Sequence, residues 1–160
     1  MTLEDTTRRN RVIDDTSVFE NPAIGRLVAQ WENLCDGRIA PRRAEVDPLD
    51  LFEFLPGIAM IKAIDDGVSF QFSLIGTGLA KLYGLVTRQV VSQVDCPPEN
   101  REALLDALTL CVASKKPVHG IWRKARTLKL AQIDLEVVFV PISEDGKEVS
   151  RILGYHAVLN

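Results

Sequence analysis

The chain has 160 residues, which on the simplest reading is one domain. It is 46% hydrophobic and 26% charged, enough apolar material for a sizeable core and too much for a disordered chain. A net charge of −3 excludes the basic excess expected of a protein whose main partner is nucleic acid or an anionic membrane.

Residues 1–20 are polar and charged and are expected to form a flexible segment. No apolar stretch follows the charged start MTLEDTTRRN, so no signal peptide is expected, and no run approaches the ~20 apolar residues of a membrane span. Asn21-Pro22 opens a helix, with Asn21 as N-cap and Pro22 in the first turn. Ile24, Leu27, Val28, Trp31 and Leu34 recur at helical spacing until Gly37 ends the run. Pro41 to Pro48 is a connector rich in arginine and proline, in which Asp47 is placed to cap a short helix over residues 48–54, stopped by Leu55-Pro56-Gly57.

A hairpin follows. Residues 58–64 form an apolar strand, Asp65-Asp66-Gly67 a turn, and residues 68–75 alternate, with Val68, Phe70, Phe72 and Leu74 on one side. This pattern predicts a sheet with one buried and one wetter face. A glycine corner at Gly76 and Gly78 leads into a short helix carrying Leu79, Leu82 and Tyr83. Asp95-Cys96-Pro97-Pro98 starts a longer helix with a stripe of Leu104, Leu105, Leu108, Cys111 and Val112, which Pro117 stops. Three strands close the chain, at about 118–127, 129–142 and 149–159, the last two joined by a turn at Glu144–Lys147.

Short turns between neighbouring strands mean antiparallel pairing and an α+β fold. That bears on FSLIGTGLAKLYG, residues 72–84, which reads as strand, glycine turn and helix. A dinucleotide-binding GxGxxG needs a parallel βαβ unit, but here the preceding strand is a hairpin arm and position 81 is lysine. The Lys-Ser/Thr of a phosphate-binding P-loop is also absent. The glycines are therefore read as a sharp bend off the strand.

In this order the residues resemble the PAS domains common in alphaproteobacteria. The words that carry the resemblance are Trp31 on the N-terminal helix, Gly37-Arg38, Pro41-Arg42-Arg43, Asp47-Pro48, Leu55-Pro56, Gly76-Thr77 after the second strand, and Gly84 after the short helix. It spans about Trp31 to His156. It departs at Thr87-Arg88-Gln89, where such domains often have Thr-Gly-Arg/Lys, so the loop at 85–95 is expected to be built differently. The resemblance implies a five-stranded antiparallel sheet with helices over one face and an N-terminal helix. Residues 21–56 would form a helical cap and 57–160 the core. It further implies a stand-alone, cytoplasmic regulatory domain without catalysis, sensing a small molecule or binding a signalling protein.

Strand and helix parity name the pocket candidates: Phe70, Phe72 and Leu74; Leu79 and Tyr83; Leu104, Leu108 and Cys111; Ile133, Leu135, Val137 and Phe139. Apolar stripes usually fill cores, so plain packing, a scaffold without ligand, is the competing reading for all of them. Leu27, Trp31 and Leu34 on the N-terminal helix are candidates for a homodimer interface. Trp122, among Arg123, Lys124 and Arg126, is a candidate contact with an unidentified signalling protein. Asp134 and Glu136 alternate with the apolar face and are expected to point outward, pairing with Arg123, Arg126 and Lys129.

No cofactor is implied. Haem-binding relatives take their ligand from the connecting helix, where this chain has no histidine, which leaves only His119 and His156 on strands. Flavin-photosensing relatives carry Asn-Cys-Arg, whereas Cys96 sits in Asp-Cys-Pro-Pro. The three cysteines, Cys35, Cys96 and Cys111, show no metal-ligand spacing and no disulfide pattern, in keeping with a reducing compartment. The alternative from another class is a small α+β enzyme of the ketosteroid-isomerase-like kind, which needs an acid or histidine inside an apolar cavity.

Overall fold

The computed structural model describes residues 8–159. Strand β1 (Arg8–Val12) is followed by helix α1 (Pro22–Cys35) and two 3₁₀ segments (Arg43–Glu45 and Pro48–Gly57). Strands β2 (Ile58–Ile64) and β3 (Ser69–Ile75) form the hairpin. Helices α2 (Ala80–Tyr83) and α3 (Pro98–Ser114) precede β4 (Val118–Arg126), β5 (Gln132–Ile142) and β6 (Arg151–Leu159). All pairings are antiparallel, in the order β1-β4-β5-β6-β2-β3.

The caps are those the residue types dictate. Asn21 Oδ1 accepts from Ala23 N at 2.9 Å, and Asp47 Oδ1 from Leu49 N at 2.9 Å, each satisfying a donor that the first turn leaves open. Gly76 and Gly78 stand at the expected bend, closed by Leu79 N donating to Gly76 O at 3.1 Å, and have a further task there. Gly76 N donates to Ile58 O at 2.7 Å and Gly78 N to Pro56 O at 2.9 Å. A Cβ on Gly76 would collide with the carbonyls of Leu55 and Pro56. These glycines let two backbones touch.

The sheet separates two apolar layers. On one face α2, α3 and the loop at 85–95 bury Phe70, Phe72, Leu104, Leu108, Trp122, Val137 and Phe139. On the other, α1 and the Pro48–Gly57 segment bury Ile24, Leu27, Phe54, Met60, Val138, Val140 and Leu153. The expected wetter face is therefore covered along the central strands, and β5 is buried on both sides from Leu135 to Ile142.

Five expectations are corrected. The sheet has six strands, because Arg8–Val12 pairs with β4. The supposed flexible segment is thus structured from residue 8, and residues 1–7 lie outside the described residues. Leu74 is 50% exposed, because the β2–β3 register shifts between Met60 and Ile61 and flips its side. Trp122 is no surface contact: it is 1% exposed, lies against Phe139 and donates from Nε1 to Asn10 Oδ1 at 2.9 Å. Asp134 is near the surface and pairs with Arg123 at 3.4 Å, but Glu136 is fully buried beneath the chain entering α1.

Candidate functional site

At the centre of the α2–α3 face lies His156, on β6. Its ring meets Tyr83, Trp122 and Phe139 nearly at right angles, with centroids 5.6, 5.2 and 5.7 Å away. Nε2 is 2.8 Å from the Tyr83 hydroxyl, whereas Nδ1 is buried without a partner. Burial pushes the imidazole pKa down to about 3 and holds the Tyr83 phenol well above its usual value. Both groups are therefore neutral across the physiological range, and the pair is a dipolar contact within an apolar box.

Beside this box the sheet has a gap. β2 begins pairing with β6 at Ile58–Tyr155, while β6 runs on to Leu159, so the edge of residues 156–159 facing β2 has no strand against it. A cleft of about 340 Å³ fills the gap. One wall is Glu53, Phe54, Pro56 and Gly57 of the 3₁₀ segment. The other is Gly78, Leu79, Lys81 and Leu82 around α2, with Thr127 beside it. Ile133, Leu135, His156 and Val158 are on the strand side. The tight backbone contacts of Gly76 and Gly78 with Leu55, Pro56 and Ile58 set the distance between these walls.

A second cleft, of about 280 Å³, lies on the opposite face. Leu27, Trp31 and Leu34 of α1 line it together with Val46, Asp47, Asp50, Leu51 and the β5–β6 residues Val140, Ile142 and Leu153. Trp31 Nε1 donates to Pro141 O at 2.7 Å, which ties α1 to β5. Of the residues expected at a homodimer interface, Leu27 is packed on its own sheet, while Trp31 and Leu34 are only partly buried.

The start of α1 is held by Glu136. Its carboxyl accepts from Asn21 N at 2.6 Å and Glu20 N at 2.9 Å, and His119 Nε2 lies 2.8 Å from Oε2. Phe19 stacks edge-on against His119 at 5.0 Å. An acid at open backbone donors preceding a helix is in the favourable position for its charge. The three cysteines are buried, and desolvation raises all three thiols, Cys35 to about 11. None is poised as a nucleophile.

A family model described as PAS domain matches residues 19–157. The chain belongs to the PAS domain family. No curated protein matches it. Among solved structures, that of an RNA-binding Light-Oxygen-Voltage receptor is similar over 94% of this chain at 11% identity, with a TM-score of 0.49. This chain spans 38% of that receptor's length.

Within this PAS domain the expected pocket residues are brought together, but against one another. Apart from Ile133 and Leu74 they are all fully packed members of the α2–α3 face core. Leu79, Ile133 and Leu135 also reach the cleft. The departure at Thr87-Arg88-Gln89 is accommodated by strain: Arg88, at the place of the usual glycine, has φ +73°. The loop still zips onto β3, with Arg88 N donating to Phe72 O at 2.7 Å and Phe72 N to Gln89 O at 3.0 Å. Sequence reasoning missed Glu136 as an anchor and His156 as the centre of the box. The parity of β6 held the clue to His156, which shares a side with Ile152 and Gly154.

Proposed function

We propose that this PAS domain is a non-catalytic regulatory sensor. Its input is a small, mainly apolar molecule held in the cleft beside β6. Its output is a change in how α1 and the Pro48–Gly57 segment lie on the sheet. One observation carries the reading: the single 3₁₀ segment borders both clefts. Glu53, Phe54 and Gly57 wall the first, and Asp50 and Leu51 the second, next to Trp31 and Leu34. A molecule filling the first cleft therefore presses on the element that seats α1. It shifts an equilibrium to the extent that it binds one seating better than another. The cleft's volume is within the range of small-molecule sites, its body is apolar, and Lys81 and Thr127 offer a polar end.

Thermal unfolding against pools of metabolites and cofactors tests this. A compound present at a hundred times its dissociation constant raises stability by about 2.7 kcal/mol. Val158→Trp, which fills the cleft from an exposed position, abolishes that rise, and amide exchange slows across residues 48–57 when the compound binds. A hit unaffected by Val158→Trp, or one leaving residues 48–57 unchanged, overturns the reading.

The enzymatic alternative has one observation in its favour. His119, partly exposed, pairs with the fully buried Glu136, and His119 borders a third cleft, lined also by Asp14, Thr16 and Ser17. Both oxygens of Glu136 are engaged by backbone N–H groups as well as by His119, which is the arrangement of a structural anchor. Turnover abolished by His119→Ala in a fold that still melts cooperatively would favour the enzyme.

A further inference from the structure

Two ion pairs tie α1 and the turn after it to the chain that follows. Arg26 Nη2 lies 3.0 Å from Glu53 Oε2, and Arg38 Nη1 lies 2.7 Å from Glu45 Oε1. The pairing runs in opposite directions along the two stretches, so the ion pairs bracket one interval. The second cleft, of about 280 Å³, occupies that interval. Its α1 wall runs from Leu27 to Leu34 and its facing wall from Val46 to Leu51, each inside the span that the two ion pairs bracket. The floor is the β5–β6 surface of Val140, Ile142 and Leu153.

The lining divides by chemistry. The floor is aliphatic, and the one side-chain donor of Trp31 is spent on Pro141 O at 2.7 Å, so the indole adds carbon surface. The polar lining groups are Gln30 and Asn33 on one wall and Asp47 and Asp50 on the other. Every charged group lining the cleft is therefore acidic. The neighbouring cations are engaged elsewhere: Arg26 by Glu53, Arg38 by Glu45, and Arg43, whose Nη1 donates to Val46 O at 3.3 Å. Among the described residues the side chains of Gln30, Asn33 and Asp50 have no protein partner, and Asp47 lends one oxygen to cap Leu49 N.

We infer that this cleft is a second ligand site, for a small organic cation with an apolar body, such as an alkylamine. The apolar body covers the aliphatic floor and releases water from it. The ammonium sits at the Asp47 and Asp50 wall, and the amide oxygens of Gln30 and Asn33 are free to accept from its N–H groups. The same two carboxylates repel an anion of equal size, which is what makes the site selective. The ion pairs across both ends leave no passage for a polypeptide running through, so the occupant is compact. The inference stands apart from the cleft beside β6, which lies on the other side of the sheet and need not be filled.

Calorimetric titration of the full chain with octylammonium, octanol and octanoate, which share one alkyl chain, tests it. Octylammonium is expected to bind with a dissociation constant at or below about 1 mM, octanol about tenfold more weakly and octanoate more weakly still. This order is read on the unaltered chain and needs no variant. The double variant Asp47→Asn with Asp50→Asn keeps the capping oxygen; it lowers octylammonium to the octanol value and leaves octanol unchanged. Asn33→Trp fills the cleft from an exposed position and abolishes binding, whereas Val158→Trp, in the cleft beside β6, has no effect. Unchanged circular dichroism shows that each variant folds. The inference is overturned if octylammonium gives no binding, if octanoate binds as tightly, or if the double variant keeps the preference for the cation. Binding that survives Asn33→Trp and is lost with Val158→Trp overturns it equally, since the compound then sits beside β6.

Discussion

Glu136 and His156 show how much two side chains decide. Glu136 is buried with backbone donors on one side and His119 on the other, so removing it strands three partners at once. Glu136→Ala is expected to cost about 3–5 kcal/mol, and Glu136→Gln, which keeps one acceptor oxygen, clearly less; chemical denaturation of the two variants measures the difference. For His156 the sign follows from its depressed pKa. The unfolded chain takes up a proton below about pH 6.5, while the folded imidazole stays neutral down to about 3. Stability therefore falls as pH drops through that window, at about 1.4 kcal/mol per unit for this one group. His156→Gln should flatten that slope between about pH 6 and 5, where the carboxyls have not yet begun to protonate appreciably. Glu45, held down to about 2 by Arg38, as well as Asp14 and Asp145, also held low, lose their contributions only further into acid. Neither role was legible from local pattern. Alternation along β5 marked Glu136 as outward, correctly for the side of the sheet but not for its surroundings, because α1 roofs that side. The cations beside Trp122 suggested a surface, whereas its parity with Val118 and Gly120 turns it inward to Phe139 and His156.

At the level of elements the sequence was far more readable. Helical spacing, the caps Asn21 and Asp47, and the turns at Asp65–Gly67 and Glu144–Lys147 all lie where their residue types demand. β1 escaped notice because RRNRV has no apolar alternation. It is a strand through its backbone pairing with β4 and through Asn10, which accepts from Trp122 and donates to Ala103 O and Asp106. The bulge that turns Leu74 outward left no mark in the alternation of residues 68–75. The glycine corner turns the chain off β3 as its residues suggested, but its close approach to the Leu55–Pro56 backbone is visible only in three dimensions. Gly76→Ala drives a methyl into the carbonyls of Leu55 and Pro56 and should cost about 1–3 kcal/mol, with exposed Thr77→Ala as a near-neutral control. Cooperative urea unfolding of the two variants provides the comparison.

For the molecule as a whole, two layers share one sheet, and the N-terminal strand closes its β4 edge. Deleting residues 1–12 removes β1 and the three hydrogen bonds of Asn10 while leaving both apolar layers in place. The shortened chain should fold, with a melting temperature lower by about 4–8 °C for a loss on the order of 2 kcal/mol. Faster amide exchange at Gly120 and Trp122 would report the freed edge. β6 has a further consequence. His156 faces the aromatic box, while its neighbours Tyr155 and Ala157 belong to the layer beneath α1. Sliding this strand by a single position would thrust the imidazole among aliphatic groups and turn a tyrosine towards the box. The partition between the two chambers thus fixes the alignment of this strand, because a slip in either direction would bury the wrong side chain on both sides at once.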